Sequence, residues 1–414
     1  MANNSILVVG GGFAGITAAL EAAEVGYEVF IVETNPYLGG RVAQLNQYFP
    51  KLCPPSCGLE IQFQRIKNNP LVHFYTMAEV VSVSGGPGAY DVKIKQRPRF
   101  VNERCTACGD CEKAARTTVD NEFEFGLCKR KAVFKTHSFA FPHRYVLDPK
   151  DIPADELSAI QAACPYEAID LNDAEKTFDL NVGSIVYATG WKPYDLKNLD
   201  NLGSGKLKNV VSNMQLERLA APNGPTSGKI LRPSDGKAPK SIAFVQCAGS
   251  RDQNHLNYCS YICCMASLKH VSYIRKNYPD AKVVIYYIDL RTPGRYDKFK
   301  KRILEDDKLL LVKGKVAKIV EDKHKNPVVT VENAVTGIKS DETFDMVVLA
   351  TGMQPTMSGQ KQPFAGVDED GFVLAAEDKG VVAAGCAKSP LDVMKSAQSG
   401  TGAALKAIQN VVGR

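Results

Sequence analysis

A single tryptophan, six histidines and no long apolar run are what this 414-residue sequence has least of. Its longest apolar stretches, such as 283–288, fall far short of the ~20 residues a membrane helix needs. That excludes a helical membrane protein. None of the six histidines sits in a pattern that makes a site, and no acid–base dyad or nucleophile–base pair is evident. Low-complexity tracts are missing, and Gly 33 and Pro 22 are ordinary counts, so disorder is excluded as the main state. One-sided charge is missing too. The 51 basic and 45 acidic residues are mixed, for a net +6, which argues against nucleic acid as a partner. The basic runs at 129–135 and 298–302 read as solvated faces or partner contacts. No apolar leader precedes the first strand, so the expected location is cytoplasmic, where thiols stay reduced. The twelve cysteines are therefore unlike structural disulfides, and they are grouped rather than scattered.

What is present begins with a strand at 5–9, a turn Gly10-x-Gly12-x-x-Gly15, a helix over about 13–25 and a second strand at 27–32 ending in Glu33. Gly10 makes the tight turn. Gly12 lets the backbone approach a pyrophosphate, and Gly15 lets helix and sheet pack closely. The helix start offers free N–H groups to phosphate, with Phe13 and Ala14 at its first turn. Glu33 is placed to accept hydrogen bonds from a ribose diol. This is the pattern of dinucleotide binding.

Gly39-Gly40-Arg41 follows Glu33. Together they resemble the two-dinucleotide-domain flavoproteins of the thioredoxin and glutathione reductase group. Further matches follow in order: Val186-Tyr187-Ala188-Thr189-Gly190, then Val347 to Gly352, then Val381-Val382-Ala383-Ala384-Gly385 before a helix at about 392–409. The resemblance implies FAD. It adds Gly40, Arg41, Val80, Thr189, Gly190, Gly385, Cys386, Asp392 and Val393 to the cofactor contacts. That group carries Asp where Cys386 stands, which leaves the Gly385 backbone more of the contact.

A second Rossmann unit is expected from 240 onward. Its strand, 241–245, runs into Cys247-Ala248-Gly249-Ser250-Arg251-Asp252 in place of a GxGxxG turn. Tyr258-Cys259-Ser260-Tyr261-Ile262-Cys263-Cys264 follows, then a helix to about 277 and a strand at 281–289. Direct NAD(P)H binding is not expected at such a turn. Cys247, Cys259, Cys263 and Cys264 match the ligand count of one [4Fe–4S] cluster. Zinc would use the same thiolates, and four buried free thiols are the plain alternative. This run, behind an FAD unit, resembles the A-type flavoprotein of heterodisulfide reductase. Within that family the chain is most similar to the A-type flavoprotein of the quinone-interacting membrane-bound oxidoreductase complex of sulfate reducers. The resemblance implies a [4Fe–4S] cluster at these four cysteines, close to the flavin.

Between about 96 and 176 the composition changes. Cys105-x-x-Cys108-x-x-Cys111 has ferredoxin spacing, and Cys164-Pro165 resembles the close of a ferredoxin half. In two-cluster ferredoxins each run lends its fourth cysteine to the other cluster. Here Ala115 stands four residues after Cys111, and Ile160, Leu157 and Ala154 stand where the other run would be. One [4Fe–4S] set is complete and the other is gone, with zinc or a relic fold as alternatives and Cys128 left over. Cys53 and Cys57 form a further pair, read as a redox disulfide, an extra cluster contact or inert thiols.

The expected fold is α/β, with two Rossmann-like dinucleotide-binding units of the thioredoxin/glutathione reductase kind and a small ferredoxin-like insertion. The FAD-binding domain is expected at 1–95, 177–235 and 335–414, the insert at 96–176 and the second Rossmann-like domain at 236–334. A flavin beside clusters converts two-electron into one-electron chemistry. The resemblance implies an oxidoreductase that serves as an electron-transfer subunit between a quinone pool and adenylylsulfate reductase in sulfate respiration. Its partners would be the other subunits of a membrane-bound oxidoreductase complex, one carrying a second flavin with iron–sulfur centres and one a haem-containing membrane protein. Membrane contact at the inner face would then be indirect. The alternatives are an electron-bifurcating flavoprotein of the heterodisulfide reductase type, an NAD(P)H-dependent disulfide reductase and a non-enzymatic scaffold.

Overall fold

A computed structural model describes residues 3–150, 152–359, 365–376 and 379–413. The chain divides into two compact units, residues 1–191 with 355–414, and residues 192–354.

The first unit is built on a five-stranded sheet in the order Val381–Ala383, Ser184–Tyr187, Ile6–Val9, Val29–Glu33, Val72–Thr76. Every neighbouring pair is parallel. These strands read as unbroken apolar runs because both faces are buried, one under helices and the other under the apolar side of an antiparallel sheet. Helices Phe13–Glu24 and Val393–Val412 pack against each other. Small residues permit it: a Cβ on Gly400 would lie 2.5 Å from Ala14 O. A three-stranded antiparallel sheet, Lys176–Val182, Ala89–Gln96, Ala78–Gly86, flanks this core. Val80 lies half-buried there, packed on the apolar cluster around Val92 and Ile94.

The insert also belongs to the first unit. It has two short antiparallel pairs, Thr118–Asp120 with Lys129–Lys131 and Val133–Phe134 with Val146–Leu147. Helices Asp110–Ala114 and Ala154–Ala162 close it. Val101, Cys111, Val133, Leu147, Ile160 and Ile169 form its own core.

The second unit carries a seven-stranded sheet, Val210–Ser212, Met346–Thr351, Ser241–Ala248, Lys282–Tyr287, Leu309–Glu321, Pro327–Asn333, Lys339–Thr343. The first five strands are parallel and the last two are added antiparallel. The contacts therefore draw the boundary differently from the sequence. Residues 192–235 and 335–354, assigned to the FAD domain above, lie in the second unit. The cause is backbone pairing. Val210 pairs with Val347, and Val347 with Ala243. A strand's apolar run identifies it as central but does not say which sheet it joins.

Candidate functional site

In the first unit the glycine turn has the geometry its spacing predicts. Gly10 has φ +107, and a Cβ there would stand 2.4 Å from Ala188 O. A Cβ on Gly15 would come within 2.0 Å of Gly10 O, so the helix rests directly on the turn. Gly12 differs: the nearest atom to its Cβ position is Gly40 Cα, 3.9 Å away. Space is left open at the one glycine assigned to a pyrophosphate. Gly12 is also the N-cap of helix Phe13–Glu24 and brings no side-chain cap. The first N–H groups of Phe13 and Ala14 are thus offered to an anion.

Glu33 is buried at the end of the second strand. Its Oε2 accepts Gly11 N–H at 2.7 Å, and its Oε1 accepts the Asn35 N–H and Nδ2, each at 2.7 Å. Burial raises its pKa above the ordinary value, and these donors oppose the rise. Two buried oxygens nearby have no hydrogen-bond partner among the described residues: Thr189 Oγ1, and Asp392 Oδ2 at the start of helix Val393–Val412. Asp392 Oδ1 is spent on its own helix, accepting Lys395 N–H at 2.7 Å. Buried polar atoms are normally satisfied, so an open glycine cradle ringed by such atoms fits a bound dinucleotide. Gly190 stands beside it with φ +69.

Three predicted contacts are already engaged within the chain. Arg41 donates to Trp191 O at 3.1 Å and to Gln44 Oε1 at 2.9 Å, and burial lowers its pKa. Gly385 N–H, expected to carry more of the cofactor contact, donates to Ser399 Oγ at 3.0 Å. The Cys386 thiol is buried and donates to Leu391 O at 3.4 Å, and burial pushes it up. Sequence spacing places a residue at a site but does not reveal competing internal partners.

In the second unit Cys247 is the penultimate residue of strand Ser241–Ala248, and Cys263 and Cys264 open helix Cys263–Asn277. The loop joining them carries Cys259. Cys247, Arg251 and Tyr261 all adopt left-handed backbone, with φ 57, 55 and 65. Three such non-glycine residues in one short connection cost on the order of 1–3 kcal/mol each, and such strain gathers at functional sites. The four thiols are electrostatic neighbours. Burial and the other three cysteines push Cys263 well up, and Cys247 is pushed up to about 11, chiefly by burial. Buried thiols this close resist ionising unless a cation joins them, which fits an iron–sulfur or zinc site. Among the described residues, however, no three His, Cys, Asp or Glu side chains stand in metal-holding geometry. Instead Cys263 donates to Thr351 O at 3.7 Å and Cys264 to Asp289 O at 3.6 Å.

Asp289 is the residue the sequence left unremarked. Its carboxylate receives Arg251 Nη1 at 2.6 Å and Arg291 Nη2 at 3.0 Å. It lies two residues past the second strand, close to the place Glu33 takes as the last residue of its strand in the first unit, and that similar position is the signal that could have found it. Asp252, next to Arg251 in sequence, pairs instead with Lys315 at 2.8 Å. His255 meets the Tyr194 hydroxyl at 3.0 Å. Where a nucleotide turn would need space, a Cβ on Gly249 would stand 2.4 Å from the Tyr194 ring.

Under the same helix lies a buried ionic group. Glu217 Oε1 meets Lys269 Nζ at 2.8 Å and His270 Nε2 at 2.5 Å, and Oε2 accepts the Tyr273 hydroxyl at 3.2 Å. Burial pushes the carboxyl up, but Lys269 and His270 outweigh it and hold it well below its ordinary value.

In the insert, Cys105, Cys108, Cys111 and Cys164 are likewise neighbours, and burial first, then Cys105, pushes Cys111 up to about 12. Backbone N–H groups already point at two sulfurs: Ala107 to Cys105 at 3.4 Å and Ala168 to Cys164 at 3.3 Å. Cys128 accepts from Asn121 Nδ2 at 3.8 Å. Ile160, where the lost set would stand, is fully buried in the core. Cys53 is half-buried and Cys57 exposed, beside the Tyr48 ring.

Residues 5–52 match a family profile described as FAD dependent oxidoreductase. Among curated proteins, the chain is 38% identical to the A-type iron-sulfur subunit of a CoB--CoM heterodisulfide reductase of Methanopyrus kandleri, over 97% of this chain and 63% of that protein. It is 36% identical to the A-type subunit of a ferredoxin/F(420)H(2)-dependent CoB-CoM heterodisulfide reductase of Methanosarcina acetivorans, over 99% of this chain and 53% of that protein. The chain thus spans 53% to 63% of these relatives' length. In fold it is similar to T. acidophilum thioredoxin reductase, with TM-score 0.56 at 15% identity over 100% of both chains. It is also similar to a bacillithiol disulfide reductase of Bacillus cereus, with TM-score 0.55 at 13% identity over 99% of both.

Proposed function

Because this chain belongs to the family of A-type heterodisulfide reductase flavoproteins over nearly its whole length, we propose that it is an electron-transfer component of a multi-subunit redox complex. It is an oxidoreductase that would hold FAD on the glycine turn of the first unit and [4Fe–4S] clusters at its two cysteine sets. The observation that carries this reading is the union, in one chain, of an open dinucleotide cradle with a second Rossmann-like unit whose turn is made of cysteines. FAD exchanges electrons in pairs or singly and a cluster exchanges them singly. The residues do the holding. Gly12 and the helix behind it would take the pyrophosphate, Thr189 and Asp392 would supply the remaining polar contacts, and the strained 247–264 loop would fix the thiols.

The relatives' names favour the heterodisulfide reductase type of complex over one that serves a quinone pool and adenylylsulfate reductase. A relative in Methanothermobacter marburgensis, 34% identical, is named as the A-type component of an H(2):CoB-CoM heterodisulfide,ferredoxin reductase. The quinone pool, adenylylsulfate reductase and the haem-containing membrane protein rest on the sequence resemblance alone and stand second. No helix among the described residues is long and apolar enough to cross a membrane, so membrane contact would run through partners.

NAD(P)H is not a direct donor in this reading. Tyr194 fills the turn, and the acid that would meet a ribose is held by two arginines. Anaerobically purified protein should show a flavin spectrum and roughly eight irons for two [4Fe–4S] clusters. NADH and NADPH should leave the flavin band unchanged. Rapid bleaching by either nucleotide, or zinc in place of iron, would overturn the reading.

A further inference from the structure

The second unit holds polar side chains in its core that the functional reading does not use. Strand Ser241–Ala248 turns alternate side chains to opposite faces. Ala243 and Val245 join one core, and Ile242 and Phe244 join the other, under helix Cys263–Asn277. Gln246 comes next in the second set, so an amide stands on an otherwise apolar face. It is 6% exposed, and neither its Oε1 nor its Nε2 has a hydrogen-bond partner among the described residues.

The helix above brings further polar atoms to the same place. Cys263, Ser267, His270 and Ile274 form one buried stripe along it. Cys263 meets the carbonyl of Thr351, the last residue of the neighbouring parallel strand. His270 stacks on Phe244, with ring centroids 6.1 Å apart. The helix therefore starts over the C-terminal edge of the sheet and runs back along it. Ser267, one turn before His270, is thus set over Gln246, two residues beyond Phe244. Ser267 Oγ and His270 Nδ1 are also buried without a partner among the described residues. Each polar atom left so would cost about 1–3 kcal/mol, and buried polar groups are normally satisfied.

Glu217 decides the form of His270. A carboxylate only accepts, so the 2.5 Å contact at Nε2 puts the ring proton there. The neutral ring then presents the lone pair of Nδ1 to Ser267 and Gln246. Burial lowers the pKa of His270, Glu217 opposes the fall and Lys269 adds to it. Glu217 faces the ring from helix Asn213–Ala220, Lys269 and Tyr273 from its own helix, and uncharged Phe244 from the strand. Arg218, beside Glu217, donates to Asn223 instead.

We propose that this compartment is an internal water site, where bound water joins Gln246 and Ser267 to Nδ1 of His270 and so serves a buried base in the core of the second unit. The polar inventory suits water. Nδ1 and Gln246 Oε1 accept, while Gln246 Nε2 and the Ser267 hydroxyl donate, against the two donors and two acceptors of a water molecule. A monovalent cation is disfavoured, because Lys269 already brings a positive charge to Glu217 at 2.8 Å. The site stands whether or not the chain carries flavin or iron.

The test uses the full chain, purified without oxygen. A high-resolution crystal structure should show water within ~3.2 Å of His270 Nδ1 and of Gln246 or Ser267. A direct bond from either side chain to Nδ1, with no water between, would overturn the proposal. So would an anomalous rubidium peak at this place in crystals soaked in rubidium chloride. Long-range nitrogen–proton NMR spectra of isotope-labelled histidines read the ring itself, with only six histidines to resolve. The signal missing from His270→Gln assigns it. The ring should be the Nε2–H tautomer at neutral pH, with Nδ1 shifted as a hydrogen-bonded lone pair; the Nδ1–H tautomer or an imidazolium there contradicts the site. Gln246→Leu should move the Nδ1 resonance toward that of a free lone pair, and Ser267→Ala should move it the same way and less. A merely structural Gln246 would alter stability and leave that resonance in place, so an unmoved signal in both variants rejects the water. If Gln246→Leu does not fold, Ser267→Ala and the wild-type crystal still decide.

Discussion

In the first unit, strand Ile6–Val9 hands over to glycines, and the acid that ends the next strand, Glu33, grips the turn through Gly11 N–H. In the second, strand Ser241–Ala248 hands over to Cys247 and Arg251, and the acid beyond the next strand, Asp289, grips two guanidinium groups. The scaffold is the same, a parallel sheet with its site at the C-terminal edge of the strands. What differs is the smallest part of it. Open backbone at Gly12 suits a phosphate, whereas strained backbone carrying thiols suits a metal cluster. The comparison teaches that one turn can be rewritten, from open glycine backbone to strained backbone carrying thiols, while the sheet beneath stays intact.

The sharpest way to break the comparison is to disable each turn separately. Gly12→Leu places a side chain where only open space now exists, so the protein should fold, lose its flavin entirely and keep its iron. Absorbance near 450 nm and an iron assay read both quantities. Retained stoichiometric flavin would remove the first half of the contrast. Cys263→Ser should do the converse, losing about four irons while keeping most of the flavin. A variant with full iron content would show that the quartet is not a cluster site.

A smaller effect separates the buried acids of the two units. Glu217 is surrounded by Lys269 and His270, and replacing it strands a buried cation. Glu217→Gln should cost about 3–5 kcal/mol in denaturant unfolding of the second unit. Its folded pKa lies below the ordinary value of 4.5. Its contribution is therefore full above that value and lost as pH falls through the lowered one, so the variant should lack part of the acid-unfolding slope. Glu33 should show the smallest effect and the opposite sign. Its folded pKa is raised above 4.5, so the fold holds a proton there more tightly than the unfolded chain does. In flavin-free protein its ionisation should erode stability as pH rises above that value, and Glu33→Gln should flatten this slope. A slope of the same sign for both acids would contradict the distinction.

Much of the first unit was legible because its signals are local. Gly10, Gly12, Gly15 and Glu33 fall within one strand–turn–helix–strand stretch, and their spacing alone specifies their tasks. The cysteine quartet was grouped from equally local spacing, but among the described residues its side chains do not stand in metal-holding geometry. What escaped was set by distant pairing. Val347 reads as a buried strand, but only its register with Ala243 assigns it to the second sheet. Arg41 and Gly385 were placed correctly along the chain, yet Trp191 and Ser399 occupy their donors. Asp289 acquires its meaning only when Arg251 and Arg291 fold onto it, a meeting no periodicity announces.

The helix Ala154–Ala162 has a consequence for how this chain can change with time. A second ferredoxin set would require cysteines at 115, 154, 157 and 160, the last three of which now sit on a regular helix with Ile160 sealed in the core. Any one of these changes alone yields no complete ligand set, and trimming Ile160 opens a cavity that costs on the order of 1 kcal/mol or more. A loop able to wrap a cluster would also have to replace the helix. Such a route descends in stability before it reaches any gain, so ordinary packing at this helix closes it.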